Sequence, residues 1–312
     1  MNFLRAALLA LFLGGAPGWA QVDLGVVLPF ENNTRDPGLD WMSESFGEVL
    51  SSRLASPRFL MFDRRERAAA FDSLGIPAGA GILSDATIYK VAQALDATKV
   101  IRGNYDWSDG VFTATAWVLD MEGPTISEPF SESGPLENLL EIQAGLAWQI
   151  QRWLRPAFSI AQSEYIRERP KPRLDAFENY FRGLDAPQRA EQIRHFRTAM
   201  SLDPRFTAPA FALGMIYFRD GDHPTSILWL TKLQRGDPDY LEANYFLGLA
   251  YLYREQYDRA AAAFRVVEQQ LPLNEVKHLW REHFVVWIDR GDGFLRTPRS
   301  GGILIPPYGL YP

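Results

Sequence analysis

Pro204, Pro238 and Pro272 recur with a period of about 34 residues. In phase with the last two, Leu213-Gly214 recurs as Leu247-Gly248 and Tyr217 recurs as Tyr251. A fixed period of this length, with small residues where helices would touch, specifies helical hairpins stacked on one another, because a single hairpin cannot bury its own apolar face. The repeated residues serve packing. Gly214 and Gly248 allow close helix approach, while Tyr217 and Phe264 fill the space between hairpins. Phe196, Ala199 and Pro204 fit the second helix of an earlier, degenerate unit, in which Asn179-Tyr180 takes the place of Leu-Gly.

Residues 1–20 read as a secretory signal: Arg5 supplies the positive start, Ala6 to Leu13 the apolar stretch, and Gly18 and Ala20 the small residues of a cleavage site. That stretch is too short to span a bilayer, which takes about 20 residues; an uncleaved interfacial anchor is the alternative. The sequence contains no cysteine, which excludes disulfides and a lipid-modified cysteine and leaves apolar burial to hold the folds. Losing Arg5 makes the net charge, -6 for the whole sequence, more negative by one. Mild acidity argues against nucleic acid, which calls for clustered Lys and Arg, and against a polybasic membrane contact. The expected location is the periplasm or the secreted medium, with no stable membrane insertion after signal cleavage.

Residues 22–157 read as a first domain. Val22 to Phe30 is a nearly continuous apolar run, the pattern of a strand covered on both faces. The turn-rich Glu31 to Gly38 follows, then Asp40 as the expected N-cap of a helix from Trp41 to about Leu54. Phe59 to Phe62 is a short strand, and Asp63 caps a helix to about Leu74. A glycine-bearing loop, Gly75 to Gly81, leads to Ser84, the cap of a helix from Asp85 to Leu95. Lys99 to Trp107 and Val111 to Leu119 form a hairpin around Ser108-Asp109-Gly110. Phe112, Ala114 and Ala116 alternate there with Thr113, Thr115 and Trp117, so one sheet face is wetter. Pro135 opens a final amphipathic helix. The order specifies an α/β fold with a mixed sheet.

Leu28-Pro29-Phe30-Glu31-Asn32, Asp36-Pro37, Trp41 and the helix ending in Arg53-Leu54 resemble the TolB-type amino-terminal domain. Ala97 through Tyr105, followed by a hairpin and Leu119-Asp120, extend the resemblance through most of the first domain. It implies a non-catalytic interaction domain of the kind that often precedes tetratricopeptide repeats in bacterial envelope and signalling proteins. The repeat unit is itself similar to the tetratricopeptide repeat, through Ala210, Leu213, Gly214, Tyr217, Leu230 and Pro238, and again through Leu247, Gly248, Tyr251, Ala260, Phe264 and Pro272.

The expected organisation is therefore a TolB-like α/β domain (22–157), a charged and proline-broken linker (158–173), an all-α repeat array (174–289) and an unstructured tail (290–312). Val276, Trp280, Phe284, Trp287 and Ile288 recur at helical spacing and are expected to cap the last hairpin. The repeat pattern stops after Val276, which reads as a truncation or frame change of a longer array.

Resemblance to tetratricopeptide arrays implies a concave groove lined by the first helix of each hairpin, holding a peptide or a helix. Phase selects Phe177 and Phe181, then Phe211, Met215 and Phe218 with Arg219, then Tyr245, Leu249 and Tyr253. An aromatic groove with one cation suits an apolar or aromatic segment better than an acidic tail; packing between hairpins is the alternative use of these side chains. Glu31, Asn33 and Asp40 lie at the carboxyl end of the first strand, where open α/β sheets bind ligands. Loop closure and helix capping are the preferred account of them. Arg64, Arg65 and Arg67 suit an anion or, preferably, a solvated helix face. The four histidines are scattered, and no metal spacing, nucleophile elbow or phosphate loop is present in the sequence. The expectation is a non-enzymatic adaptor with a protein or peptide partner, no cofactor and no metal. The alternative is a small-molecule sensor at the strand-end loop, coupled to the repeats.

Overall fold

Pro29 interrupts the first strand. The computed structural model describes residues 22–77, 83–123 and 125–270. In it the expected Val22–Phe30 strand becomes β1 (Asp23–Val27) and β2 (Glu31–Asn32), both parallel to β4 (Lys99–Ser108). Proline has no N–H for the ladder. Pairing resumes on either side of it, where Leu28 N donates to Ile101 O and Asn33 N to Tyr105 O, each at 2.9 Å.

The sheet runs β3 (Phe59–Met61), β1, β4, β5 (Val111–Asp120) and β6 (Thr125–Ile126), with β7 (Phe130–Gly134) also on β5. β1 is parallel to β3 and β4, while β5, β6 and β7 are antiparallel additions. It is a mixed sheet, as expected. The turn at Asp109 and Gly110 has positive φ at both residues, 55° and 78°, which joins β4 to β5 without splaying them. β6 and β7 escape sequence reasoning: Thr125 to Gly134 lacks an apolar alternation, and only the neighbouring β5 makes these residues strands.

One face of the sheet is covered by α1 (Trp41–Leu54) and α4 (Leu139–Leu154), with Phe30, Phe46, Tyr105 and Phe112 stacked between them. The other face carries α3 (Asp85–Leu95) over Val26, Leu28, Val100 and Leu119, with Phe71 of α2 (Arg64–Ser73) at its border. The alternation in β5 is as expected, with Phe112, Ala114, Ala116 and Val118 buried and the intervening residues less so. Asp63 and Glu66 form a reciprocal capping box on α2, and Ser84 caps α3 through Thr87 N. Asp40 departs from its expected role. It makes no side-chain cap on α1 because its carboxylate already accepts from Asn32 Nδ2 at 2.6 Å.

Residues 162–167, expected within a linker, form a short helix α5 (Gln162–Arg167) whose Tyr165 is buried in the main core. Arg53 Nη1 donates to Tyr165 O, and the Tyr165 hydroxyl donates to Arg53 O, both at 3.1 Å. The compact unit extends to Phe206. The hairpin α6 (Leu174–Asp185) and α7 (Arg189–Leu202), expected to open the repeat array, is therefore packed with the α/β fold. Trp41 lies 6.1 Å from the Phe177 ring and 6.5 Å from that of Phe181. Arg182 Nη2 donates to Gly38 O at 2.7 Å, and Arg64 pairs with Asp185 at 2.6 Å.

The second unit comprises α8 (Ala208–Arg219), α9 (His223–Leu230), α10 (Tyr240–Tyr253) and α11 (Tyr257–Gln270), two antiparallel hairpins stacked through α9 and α10. It is the helical-repeat arrangement that the sequence period specifies. α9 stops at Leu230, short of Pro238; the turn beyond contains Gly236 at φ 112°, a conformation that suits glycine. The expected signal, the loop from 78 to 82, Pro272, the capping helix and the tail fall outside the described residues.

Candidate partner-binding surface

The first helices of the two repeat hairpins carry most of the candidate groove residues. Phe211, Met215 and Phe218 share one face of α8, and Tyr245, Leu249 and Tyr253 one face of α10, by three- and four-residue spacing. The structure does not treat them alike. Phe211 and Met215 are only 8% and 6% exposed, so they serve packing. Phe218, Tyr245 and Leu249 are half-buried, Arg219 is exposed, and Tyr253 is 43% exposed.

Phe218 and Tyr253 come together, with ring centroids 6.2 Å apart, and Phe218 also meets Phe246 at 5.1 Å. Tyr245 lies against Phe264 of α11 at 6.1 Å. The row is thus partly a packing seam and partly an open aromatic surface ending at Tyr253.

Phe177 and Phe181 do not belong to that surface. They are 5% and 1% exposed, sealed under Trp41, because the aromatic face that phase selects on α6 is the one that α1 covers.

Sequence reasoning missed two residues. Trp41 was legible as a helix residue but not as the cover of α6. His223 stacks on Tyr253 with centroids 4.6 Å apart and planes 5° from parallel, and it meets Phe218 at 5.4 Å. The repeat pattern holds no signal for a histidine there. Burial, reinforced by the charge of Arg254 and opposed by that of Asp222, pushes its imidazole below the usual histidine range.

The strand-end loop is closed on itself. Asn32 Nδ2 donates to Asp40 Oδ1 and to Asp36 O, Asn32 Oδ1 accepts from the backbone and hydroxyl of Thr34, and Asp36 Oδ1 accepts from Gly38 N. Glu31 is paired in register with Asn104; partial burial, eased by Arg102, raises its carboxyl above the usual range. Asn33 is exposed. The preferred solvated face holds for the exposed Arg65 but not for Arg64 and Arg67. Arg67 is 3% exposed, donating to Val27 O at 2.9 Å and pairing with Glu44, while Arg64 reaches Glu44 and Asp185.

His195 Nδ1 lies 3.2 Å from Asn179 Oδ1; His278 and His283 lie outside the described residues. Among the described residues no group of three or more His, Asp and Glu is arranged to hold a metal ion, and no helix is long and apolar enough to cross a membrane.

No family model and no curated protein matches the sequence. Solved structures do. The chain is similar to the C-terminal domain of LpoB from Escherichia coli, at 14% identity over 41% of this chain and 93% of that domain, with a TM-score of 0.31. It is similar to TolB from Acinetobacter baumannii, at 17% identity over 46% of this chain and 30% of that one, with a TM-score of 0.30. It is also similar to the C-terminal part of a TPR repeat-containing protein from Cytophaga hutchinsonii, at 18% identity over 47% and 57% of the two chains, with a TM-score of 0.32.

Proposed function

We propose that the chain is a non-catalytic protein-interaction adaptor working in the periplasm or outside the cell. In this reading a partner's apolar or aromatic peptide or helix lies along α8 and α10. The observation that carries it is the half-open row of Phe218, Tyr245, Leu249 and Tyr253 on the first helices of adjacent hairpins, ending in an exposed tyrosine. Aromatic side chains held rigid by packing on one side and open on the other lose little entropy on binding and supply large contact area. The α/β unit, with its TolB-like sequence features and the α6–α7 hairpin fused to it, provides a second docking surface. The leader-like amino terminus supports the location.

A photo-crosslinking residue at position 253 of the full chain should capture the partner in envelope extract. The captured segment, titrated against Leu249→Ala and Tyr253→Ala, should bind more weakly by about 1–2 kcal/mol each. Tyr89→Ala, an exposed aromatic on α3, should leave affinity unchanged. Equal affinity in all three variants would reject the groove.

A further inference from the structure

His223 is the first residue of α9, directly after Asp222, whose carboxylate caps the helix by accepting from Thr225 N at 3.1 Å. Its ring lies between the two repeat hairpins, stacked flat on Tyr253 of α10 and touching Phe218 of α8. The Nδ1 atom is buried and has no hydrogen-bond partner among the described residues.

We propose that His223 makes the joint between the two repeat hairpins sensitive to mild acid: the neutral ring holds α9 against α10 through Tyr253, and protonation loosens that contact. An imidazolium carries a proton on both ring nitrogens. In this position the imidazolium would bury a charged N–H at Nδ1 with nothing to accept it, whereas the neutral Nε2–H tautomer leaves there only an uncharged unpartnered acceptor, at lower cost. The positive end of the α9 dipole adds to the cost, as does the charge of Arg254, the residue just past α10.

Two features favour the cation, Asp222 beside it and the face of Tyr253 beneath it. Asp222 is already engaged as a helix cap. From α8 the contact is the uncharged Phe218 ring. Burial dominates this balance and lowers the affinity for the proton. The unfolded chain therefore takes up the proton first as pH falls through about 6.5. Stability carried by the neutral ring is complete above that pH and drains away below it.

Amide hydrogen exchange of the full chain, corrected for the intrinsic pH dependence, reads the joint directly. Between pH 7.5 and 5.5, protection in α9 and the last two turns of α10 should fall by about twofold more in the wild type than in His223→Phe, which keeps the ring contact but cannot titrate. An equal fall in both proteins overturns the proposal. The wild-type imidazole signal followed by NMR is the second measurement, independent of how well the variant folds. A midpoint below the ordinary histidine value supports the joint, and a midpoint at or above it overturns it. Neither readout requires a bound partner, so the result stands apart from the groove reading.

Discussion

A methyl group placed on Gly248 would stand 2.5 Å from Cε1 of Phe264, inside any tolerable contact. The same relationship joins Gly214 to Leu230 at 2.5 Å and Gly183 to Phe196 at 2.6 Å. The large partners, Phe196, Leu230 and Phe264, keep the spacing of the repeat, while the first glycine lies three residues beyond its expected place at Tyr180. Three residues is close to one helical turn, so the glycine stays on the same helix face. The degenerate unit therefore kept its close contact.

Gly248→Ala and Gly214→Ala should each destabilise the repeat hairpins by about 1–3 kcal/mol through overpacking. With this offset by the gain of about 1 kcal/mol that alanine brings to a helix interior, the expected net loss is up to about 2 kcal/mol. Local hydrogen exchange in α10 and α11, or in α8 and α9, measures the loss; a stabilised hairpin would show that Phe264 or Leu230 can move aside.

Trp41→Ala should cost the α/β unit about 3–5 kcal/mol. The α6–α7 hairpin should lose protection together with α1, because Trp41 packs on Phe177 and Phe181. Proteolysis within residues 174–202 should accelerate in the variant. Unchanged α6 protection beside a weakened α1 would separate the hairpin from this core.

Lys99 is nearly buried where β1, β4 and β5 meet, within 3.6 Å of Asp23, 3.1 Å of Asp120 and 3.6 Å of Glu122. Burial acts against its charge, but Asp120 first, then Asp23 and Glu122, hold the ammonium above its usual range. Burial likewise opposes the Asp120 charge; the Lys99 hydrogen bond and the amides of Glu122 and Gly123 outweigh it and hold the carboxyl below the usual range. The Asp120 contribution is therefore present above about pH 4 and lost as pH falls through its lowered pKa. The Lys99 contribution is present below about pH 10 and lost as pH rises through its raised one. Lys99→Met should cost about 1–3 kcal/mol at neutral pH and flatten both limbs in urea titrations of the α/β unit across pH. Limbs that persist in the variant would assign them elsewhere.

Gln143 is fully buried on α4, donating to Ser45 Oγ at 2.8 Å, with its Oε1 unpartnered among the described residues. Gln143→Leu should be neutral or stabilising by up to about 1 kcal/mol, since Ser45 keeps its bond to Met42 O and an unsatisfied acceptor is removed. A loss of more than about 1 kcal/mol in thermal unfolding would place an acceptor-satisfying group, such as a bound water, at that oxygen.

Much of the fold was legible because local chemistry decides it. Asp63, Ser84, and Asp109 with Gly110 each satisfy backbone needs within a few residues and adopt their expected roles, and Glu66 completes a capping box with Asp63. Asp40 failed as a cap because Asn32, earlier in the same loop, claims its carboxylate. The candidate groove was legible only in part. Helical phase places Phe211, Met215 and Phe218 on one face of α8 and Tyr245, Leu249 and Tyr253 on one face of α10, but it holds no information about what covers each face.

By itself the sequence determined where the capped helices and the β4–β5 hairpin begin, that the second half repeats at a fixed interval, and that Gly214 and Gly248 mark close helix contacts. Those properties arise from capping, turn geometry and apolar period, all short-range. Only the tertiary structure decided that Thr125 to Gly134 joins a sheet, that Trp41 seals Phe177 and Phe181, and that His223 lies against Tyr253. Each of these pairings joins separate elements, and what selects it, a strand edge or an apolar surface, exists only once the neighbouring elements have formed.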